Sequence, residues 1–436
     1  MSKSKQMSFK KRLIFTVALL LLYRLCSHIP LPFVDSDYVK ALIGMNGSLG
    51  LLNTLTGGNL ANMSIVALGI TPYITASIVL QLMGVLIPSL AEMQRDGSTG
   101  QEKFKRINIV LAVILGLLQS GAMMYGYGES GILKPYTWYS VLIPTVIMTV
   151  SVFALSFIGQ YITDHLFGNG VSLLLVTGIL CSYLSDGQVL YSVLTHKHKL
   201  QYQIIACTIA VLIIIIMLFA FTVWLNTCEK KIRVNNSAKV SMGCAKSVSV
   251  IPLKLIGGSV VPVIFASTIL TVPSYIQLFG KVNAKWFDIF NTSCWLKPDE
   301  WWASAGVGIY FLMIIGFSYY YQSLNLNERE IADNLKRSGS SIIGVRPGHD
   351  TEAYLHKNMK CMTFLGGIGL CIVAFIPIVL SVTVGVTNLS FAGTSIIIVV
   401  AVVEETYRKY QTEKYGHVYR TGKFGRKNRR KRVSQL

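Results

Sequence analysis

Charged residues are scarce in this chain. Asp, Glu, Lys and Arg make up 14% of its 436 residues, while hydrophobic residues make up 52%. A soluble protein of this length carries far more charge, so the composition excludes an ordinary soluble globular protein. Acidic residues are the scarcer kind, with 20 Asp and Glu against 40 Lys and Arg. The basic excess suits contact with anionic lipid or acidic partners, and ribosomal RNA is a further candidate because basic loops bind phosphate backbones.

The chain also lacks the residue spacings that catalysis and metal binding require. Its eight Cys residues include no CxxC pair and no Cys/His ligand spacing. The sequence therefore predicts neither a disulfide framework nor a metal site. It contains no nucleophile elbow, Walker loop or HExxH helix. We expect no catalytic residues, no cofactor and no enzymatic activity.

Ten apolar segments account for the hydrophobic excess. They lie at about 12–32, 64–87, 107–127, 136–158, 169–185, 202–225, 256–278, 302–323, 361–382 and 389–407. Most reach the ~20 residues that a helix needs to cross a bilayer. Most Lys and Arg residues lie before the first segment and in every second gap after it. By the positive-inside rule, this pattern predicts a multi-pass membrane protein with both termini in the cytoplasm.

The number of segments predicts the organisation of the chain. Ten crossings divide into five and five, and an odd number in each half makes the second half run in the opposite direction, as in an inverted repeat. We expect an N-terminal half at 1–190, a C-terminal half at 191–407 and a basic cytoplasmic tail at 408–436. Two cytoplasmic gaps, 226–255 and 324–360, are long for connectors and are expected to bind a partner.

The second segment carries small and polar residues among aliphatic ones, reading LGITPYITASIVLQLM over residues 68–83. Such residues suit close packing or a cavity wall better than a lipid-facing surface. A membrane scaffold without a pore would not need them. A secondary transporter for a small solute is a further alternative, but it calls for an ionisable residue at mid-depth. The candidates for that role are few: Arg24, with Glu404 and Glu405 near a segment end.

Several further motifs follow in order along the chain. They are FGNGVSL at 167–173, IPLKLIGGSVVPVIFAST at 251–268, GVRPG at 344–348 and FAGTSIIIVV at 391–400. Together with the second segment they resemble SecY, the channel subunit of the bacterial Sec translocon, over residues 10–405. The resemblance implies an all-α fold in the bacterial plasma membrane, with ten transmembrane helices in two inverted five-helix halves. The halves would surround an hourglass pore and a re-entrant plug half-helix.

The resemblance implies an aliphatic pore ring, which would exclude water and ions yet deform around a passing peptide. Its expected members are Ile74, Ile78, Val171, Leu175, Ile264 and Ile398. The resemblance also implies a plug at about 48–59, hinged at its glycines. The expected plug residues are Leu51, Leu52, Leu55, Gly57 and Gly58. The plainer alternatives are ordinary helix packing for the aliphatic residues and a surface loop for 48–59.

A lateral gate is implied between segments two, three, seven and eight, with Gln119 and Ser120 as its polar residues. Docking of a motor or ribosome is implied for four basic residues of the long loops. These are Lys230, Lys231, Arg233 and Arg346. The plainer alternatives are simple interhelical hydrogen bonds at the gate and solvated, topology-setting charges in the loops.

The function implied by the resemblance is a passive channel that passes secretory preproteins across the membrane and releases membrane segments sideways into it. The implied partners are an unfolded preprotein, a SecE-like subunit, a SecA-type motor ATPase and anionic lipids. A SecG-like subunit, the ribosome and the signal recognition particle receptor are further candidates. The sequence departs from SecY mainly at the cytoplasmic face, where Gln101 replaces an expected Arg and residues 236–239 read NSAK. These departures leave open an accessory SecY paralogue with its own motor and cargo.

Overall fold

The chain is mostly helical over the residues that a computed structural model describes. These are 9–45, 53, 56–95, 97–129, 132–133, 137–197, 201–236, 248–256, 261–280, 285–290, 295, 302–325, 328–384 and 393–420. The helices of the first half are α1 Phe9–Cys26, α2 Ser36–Met45, α3 Thr71–Leu86, α4 Pro88–Arg95, α5 Gly97–Glu129, α6 Trp138–His165 and α7 Gly170–Lys197. Pro72 lies in the first turn of α3, where its missing N–H group costs no helix hydrogen bond.

The second half alternates long helices with a small sheet. Its elements are α8 Gln201–Thr227, β1 Glu229–Asn236, β2 Val248–Lys254, α9 Val261–Gly280, a 3-10 turn Lys285–Phe290, α10 Ala305–Asn325, α11 Glu328–Arg337, β3 Ser340–Ile342, α12 His349–Val384 and α13 Gly393–Arg420. The expected domain boundaries at residues 190 and 407 both fall inside helices, since α7 continues to Lys197 and α13 to Arg420.

One helix overlaps each of the ten predicted apolar segments; these helices are α1, α3, α5 to α10, α12 and α13. Within the described residues, five stretches are long and apolar enough to cross a membrane. They are Thr99–Gly128, Trp138–His165, Ile209–Thr227, Trp302–Arg337 and His349–Leu380. A multi-pass helical membrane protein is therefore confirmed, while the count of ten crossings and their inverted arrangement stay predictions.

The prediction of an all-α chain omitted a three-stranded antiparallel sheet, whose strand order is β2-β1-β3. Ile232 of β1 pairs with Ile251 of β2, and Val234 of β1 pairs with Ile342 of β3. The two long loops expected at 226–255 and 324–360 are thus joined in one sheet. We name the loop module as β1, β2, β3, α11 and the first turns of α12.

The loop module has its own apolar core. In the middle of β1, Ile232 and Val234 alternate with polar residues, as expected of a strand with one buried face. Ile232 and Val234 of β1 pack in one cluster with Leu355 and Met359 of α12. On α11, Leu335 adds to the same cluster. A larger cluster has members from both halves, among them Leu175 of α7 and Ile398 of α13, and a further cluster lies within the first half around Met123 of α5 and Met148 of α6.

Candidate functional site

A cavity of ≈ 830 Å³ lies between the two halves. Most of its wall comes from α3 and α7 of the first half and from α9 and α13 of the second half. The wall is aliphatic in one part and polar or charged in another. Along α13 it runs from Ile398 to Thr412, so at 1.5 Å per residue the cavity is about 20 Å long.

All six residues expected in the pore ring line this cavity. They are Ile74 and Ile78 of α3, Val171 and Leu175 of α7, Ile264 of α9 and Ile398 of α13. Ile78, Leu175 and Ile398 are buried, and the other three are half-buried. Five of the six also contribute to the large cluster shared by the halves. The structure thus brings together four helices at the place where the resemblance expects a constriction.

Helix periodicity explains how α3 contributes to the wall. Ile74, Ile78 and Gln81 are spaced four and three residues apart and so share one face. Tyr73 and Ser77 flank that face and line the cavity as well. Ser77 is one of the small and polar residues of the second segment that predicted a cavity wall, whereas Tyr73 is identified by the structure.

The FGNG motif sets α7 against α6. A Cβ on Gly170, the first residue of α7, would collide with the carbonyl oxygen of Gly159 on α6. The Gly170 amide also donates a hydrogen bond to the Thr163 hydroxyl at 2.9 Å. Only glycine permits this approach. The contact fixes where α7 begins, and so positions Val171 and Leu175 on the cavity wall.

The charged part of the wall is internally paired. Glu404 lies 2.7 Å from Arg408 and 3.8 Å from Lys254 at the end of β2. Arg408 also donates a hydrogen bond to Glu229 of β1 at 3.1 Å. Glu405 pairs with Lys409 at 3.3 Å. The contacts of Glu404 with Lys254 and of Arg408 with Glu229 join α13 to the loop module. Both acids that the structure describes on the wall are paired, whereas an ion-coupled transporter would use an unpaired acid there.

The plug prediction falls largely on residues outside those the structure describes, since Leu51, Leu52 and Leu55 are not among them. Gly57 and Gly58 are described, and both have left-handed backbones, with φ of 77° and 80°. A Cβ on Gly57 would collide with the backbone of Gly178 on α7. Close packing is therefore a reason for glycine at position 57, besides the expected role as a hinge.

Hydrogen bonds with α1 hold the residues beside Gly57. The buried Asn59 amide donates to the Tyr23 hydroxyl at 2.9 Å, and that hydroxyl donates to the Thr56 carbonyl at 3.5 Å. Thr56, Asn59 and Tyr23 are all buried. The turn at residues 56–59 is thus attached to α1 and α7 of the first half.

The two expected gate residues differ in their surroundings. Ser120 is fully buried, and its hydroxyl contacts the Thr145 carbonyl at 3.4 Å and the Thr149 hydroxyl at 3.3 Å, both on α6. Ser120 therefore faces the interior of the first half. Gln119 is half-buried on a different face of α5. The geometry favours Gln119 of the two as a residue available to a gate.

Three of the four expected docking residues lie on β1 of the loop module, the fourth lies in the turn between β3 and α12, and all four are exposed. Lys231 and Arg233 alternate with buried Ile232 and Val234, so they occupy the outer face of β1. Lys230 has the opposite parity, and its ammonium donates to Asn358 of α12 at 2.6 Å. It is therefore held within the module and is separated from the other two basic residues of β1.

Arg346 lies in the turn between β3 and α12. The hydroxyl of buried Thr351 donates to its carbonyl at 2.8 Å, which fixes the turn while the Arg346 side chain stays exposed. The amide of Ile343, three residues earlier, donates to the Arg233 carbonyl at 3.4 Å. The sheet thus places the turn of one long loop beside the basic strand of the other.

Among solved structures, a protein-conducting channel aligns over 95% of this chain and 94% of its own, with a TM-score of 0.66 and 16% identity. The canine Sec61 channel, solved in a ribosome-channel complex from the endoplasmic reticulum, aligns over 95% and 94%, with a TM-score of 0.64 and 15% identity. The chain therefore has the fold of a membrane protein-conducting channel.

The SecY family model matches residues 64–407. Curated relatives named Protein translocase subunit SecY include those of Bacillus licheniformis, at 31% identity over 94% of this chain and 96% of the relative, and Streptomyces coelicolor, at 30% over 94% and 95%. The chain belongs to the SecY family. It is a membrane channel subunit and not an enzyme. These relatives do not favour the alternative of an accessory paralogue.

Proposed function

We propose that this chain is the subunit through which unfolded polypeptides cross a membrane, with apolar segments released sideways into the lipid. One observation carries the proposal: six aliphatic side chains from four helices, two in each half, line a single cavity. An aliphatic constriction excludes water and ions without binding a peptide specifically. A channel that handles many sequences needs both properties.

The rest of the wall suits a passing chain. Ser77, Gln81 and Asn169 offer neutral hydrogen-bonding groups, and the charged residues beyond them are paired with one another. A polypeptide backbone can therefore exchange water for side-chain partners as it enters, without meeting a strong field of either sign. A secondary transporter would instead concentrate ionisable groups at a substrate site.

The loop module is the proposed docking surface for a driving partner. We place it in the cytoplasm with both termini, because most basic residues lie on that side. Lys231, Arg233 and Arg346 are exposed there, and Arg forms bidentate contacts with carboxylates and with RNA phosphates. The partners that fit are a SecA-type motor or a ribosome, and a SecE-like subunit would complete the channel in the bacterial plasma membrane. The canine Sec61 channel, which has the same fold, was solved within a ribosome-channel complex.

A crosslinking experiment tests the channel role. Single Cys residues at Ile74 and Ile264, both on the cavity wall, should crosslink to a secretory chain that carries one Cys and is stalled in transit. Met83 on α3 and Val272 on α9 are matched controls, because they lie outside the cavity wall and are exposed at the helix surface. Cys at these two positions should crosslink at least tenfold less.

The result that would count against the channel is equal crosslinking at wall and control positions, or none at either wall position. A chain released from the stall before crosslinking is the second control. It should lose the signal at Ile74 and Ile264, because the cavity is then empty of substrate.

A further inference from the structure

The chain passes from the first half to the second between α7 and α8. The halves also meet through non-covalent contacts, because α5 of the first half contacts α9 of the second, and α3 is hydrogen-bonded to α10. These two contacts must break if α3 and α5 part from α9 and α10. We call them the seam.

A tyrosine hydroxyl crosses this seam. Tyr320 of α10 donates a hydrogen bond to the backbone carbonyl of Gln81 on α3 at 2.8 Å. Gln81 itself lines the cavity, as does Tyr321, the next residue of α10. The bond therefore joins the two halves directly beside the conducting space. We propose that Tyr320 is a latch residue, which favours the closed seam through its hydroxyl and so sets how readily the channel releases apolar segments.

Tyr320 is the middle one of three consecutive tyrosines on α10, and its two neighbours show that its bond differs from ordinary packing within one half. Successive residues of a helix point about 100° apart. The Tyr319 hydroxyl donates to the Lys360 carbonyl of α12 at 3.2 Å, within the same half. The Tyr321 ring lies 6.1 Å from that of Phe265 on α9, also within that half. Of the three, Tyr320 makes a hydrogen bond that must break when the halves separate.

The chemistry of the bond makes Tyr320→Phe a clean test. A backbone carbonyl has two lone pairs, so the Gln81 oxygen keeps its helix partner when the tyrosine hydroxyl is removed. Phe retains the ring and its packing. The change therefore subtracts one neutral hydrogen bond that exists only when the seam is closed. A bond of this kind shifts an equilibrium by roughly 2- to 10-fold.

The experiment rests on the proposed function and uses the whole channel in membrane vesicles. The substrate is a secreted reporter carrying an internal segment of graded hydrophobicity, and the measurement is the ratio of reporter released into lipid to reporter passed across. Tyr320→Phe should raise that ratio by roughly 2- to 10-fold at threshold hydrophobicity. Tyr319→Phe, which removes a matched hydroxyl from the same helix, should leave the ratio unchanged.

Thermal unfolding of the same variants distinguishes a specific effect on the seam from a general loss of folding stability. Both variants lose one hydrogen bond, so similar losses of stability combined with different release ratios support the latch. Equal release ratios in the two variants would overturn it while leaving the channel role intact. If the protein without any substitution neither passed the reporter across nor released it into lipid, that result would instead contradict the proposed function.

Discussion

Both the backbone geometry and the packing at position 57 require glycine. Its φ of 77° lies in the left-handed region, and the Gly178 backbone occupies the space where a Cβ would be. The GG pair could be recognised in the sequence, and a hinge was a reasonable interpretation. The contact with α7 could not be predicted, because it depends on how closely two distant segments approach.

We expect Gly57→Ala to lower the free energy of unfolding by about 2–5 kcal/mol. The left-handed backbone accounts for roughly 1–2 kcal/mol and the collision for a further 1–3 kcal/mol. Gly58→Ala should cost only the first amount, since among the described residues its Cβ would meet just the Ser182 hydroxyl oxygen, at 3.7 Å. Denaturant unfolding in detergent measures both. Equal losses would show that Gly178 yields to the added methyl group.

Gly187→Ala on α7 is the control for these substitutions. No atom of the described residues lies within 4 Å of a Cβ at that position, and helix propensity favours Ala over Gly. Its stability should be unchanged or slightly higher. A loss there comparable to that of Gly57→Ala would mean that glycine content itself, and not the contact with Gly178, sets stability.

At the scale of elements, hydropathy located the long helices well because each one needs a long apolar stretch to meet lipid. The strands were missed although β1 alternates apolar and polar residues from Lys231 to Asn235. Its neighbour β3, with three residues, is too short to give a periodic signal and pairs with a strand about 100 residues earlier. Non-local pairing of this kind leaves no mark on a single sequence.

Leu355→Ala tests whether the loop module is held by its own core. Leu355 is fully buried in the module cluster, so truncation should cost about 2–5 kcal/mol locally. Hydrogen exchange should accelerate in β1 and β2 but not in α5 or α6. The matched change Val250→Ala, at a side chain 48% exposed on β2, should shift exchange by less than about 0.5 kcal/mol. Faster exchange throughout the molecule would argue against a separate core.

At the scale of the whole molecule, the cavity depends on both halves, and neither half alone forms it. The count and parity of the segments predicted a site between the halves, and the resemblance selected the six aliphatic positions. The polar residues of the second segment, among them Ser77 and Gln81, predicted a cavity wall on α3. The ion pairs of α13 with the loop module and the hydrogen bond from Tyr320 were not predicted. The hydrogen bond depends on how one half is placed against the other, which the pattern within either half does not specify.

A polar substitution in the aliphatic part of the cavity wall should allow water to enter that part of the cavity. Ile78→Asn and Ile398→Asn, one in each half, are each expected to raise ion leak through the resting channel several-fold, because an amide hydrogen-bonds water where an alkyl group expels it. The double substitution should leak more than either single one. Conductance in planar bilayers measures the effect, and Met83→Asn, outside the wall, is the control. A leak of equal size from Met83→Asn would place the water barrier elsewhere.

The sheet of the loop module also imposes an order on biosynthesis. β1 and β2 can form a hairpin as soon as Lys254 has been made, but β3 begins only at Ser340, after α9 and α10. At a synthesis rate of about 5–20 residues per second, the time between the completion of β2 and the start of β3 is on the order of 10 s. During that time one edge of β1 lacks its later partner, and an open strand edge readily pairs with another chain. Lys231 and Arg233 lie on this strand, so their charges would disfavour pairing of the nascent protein with another chain. This effect would come before their proposed role in docking a partner.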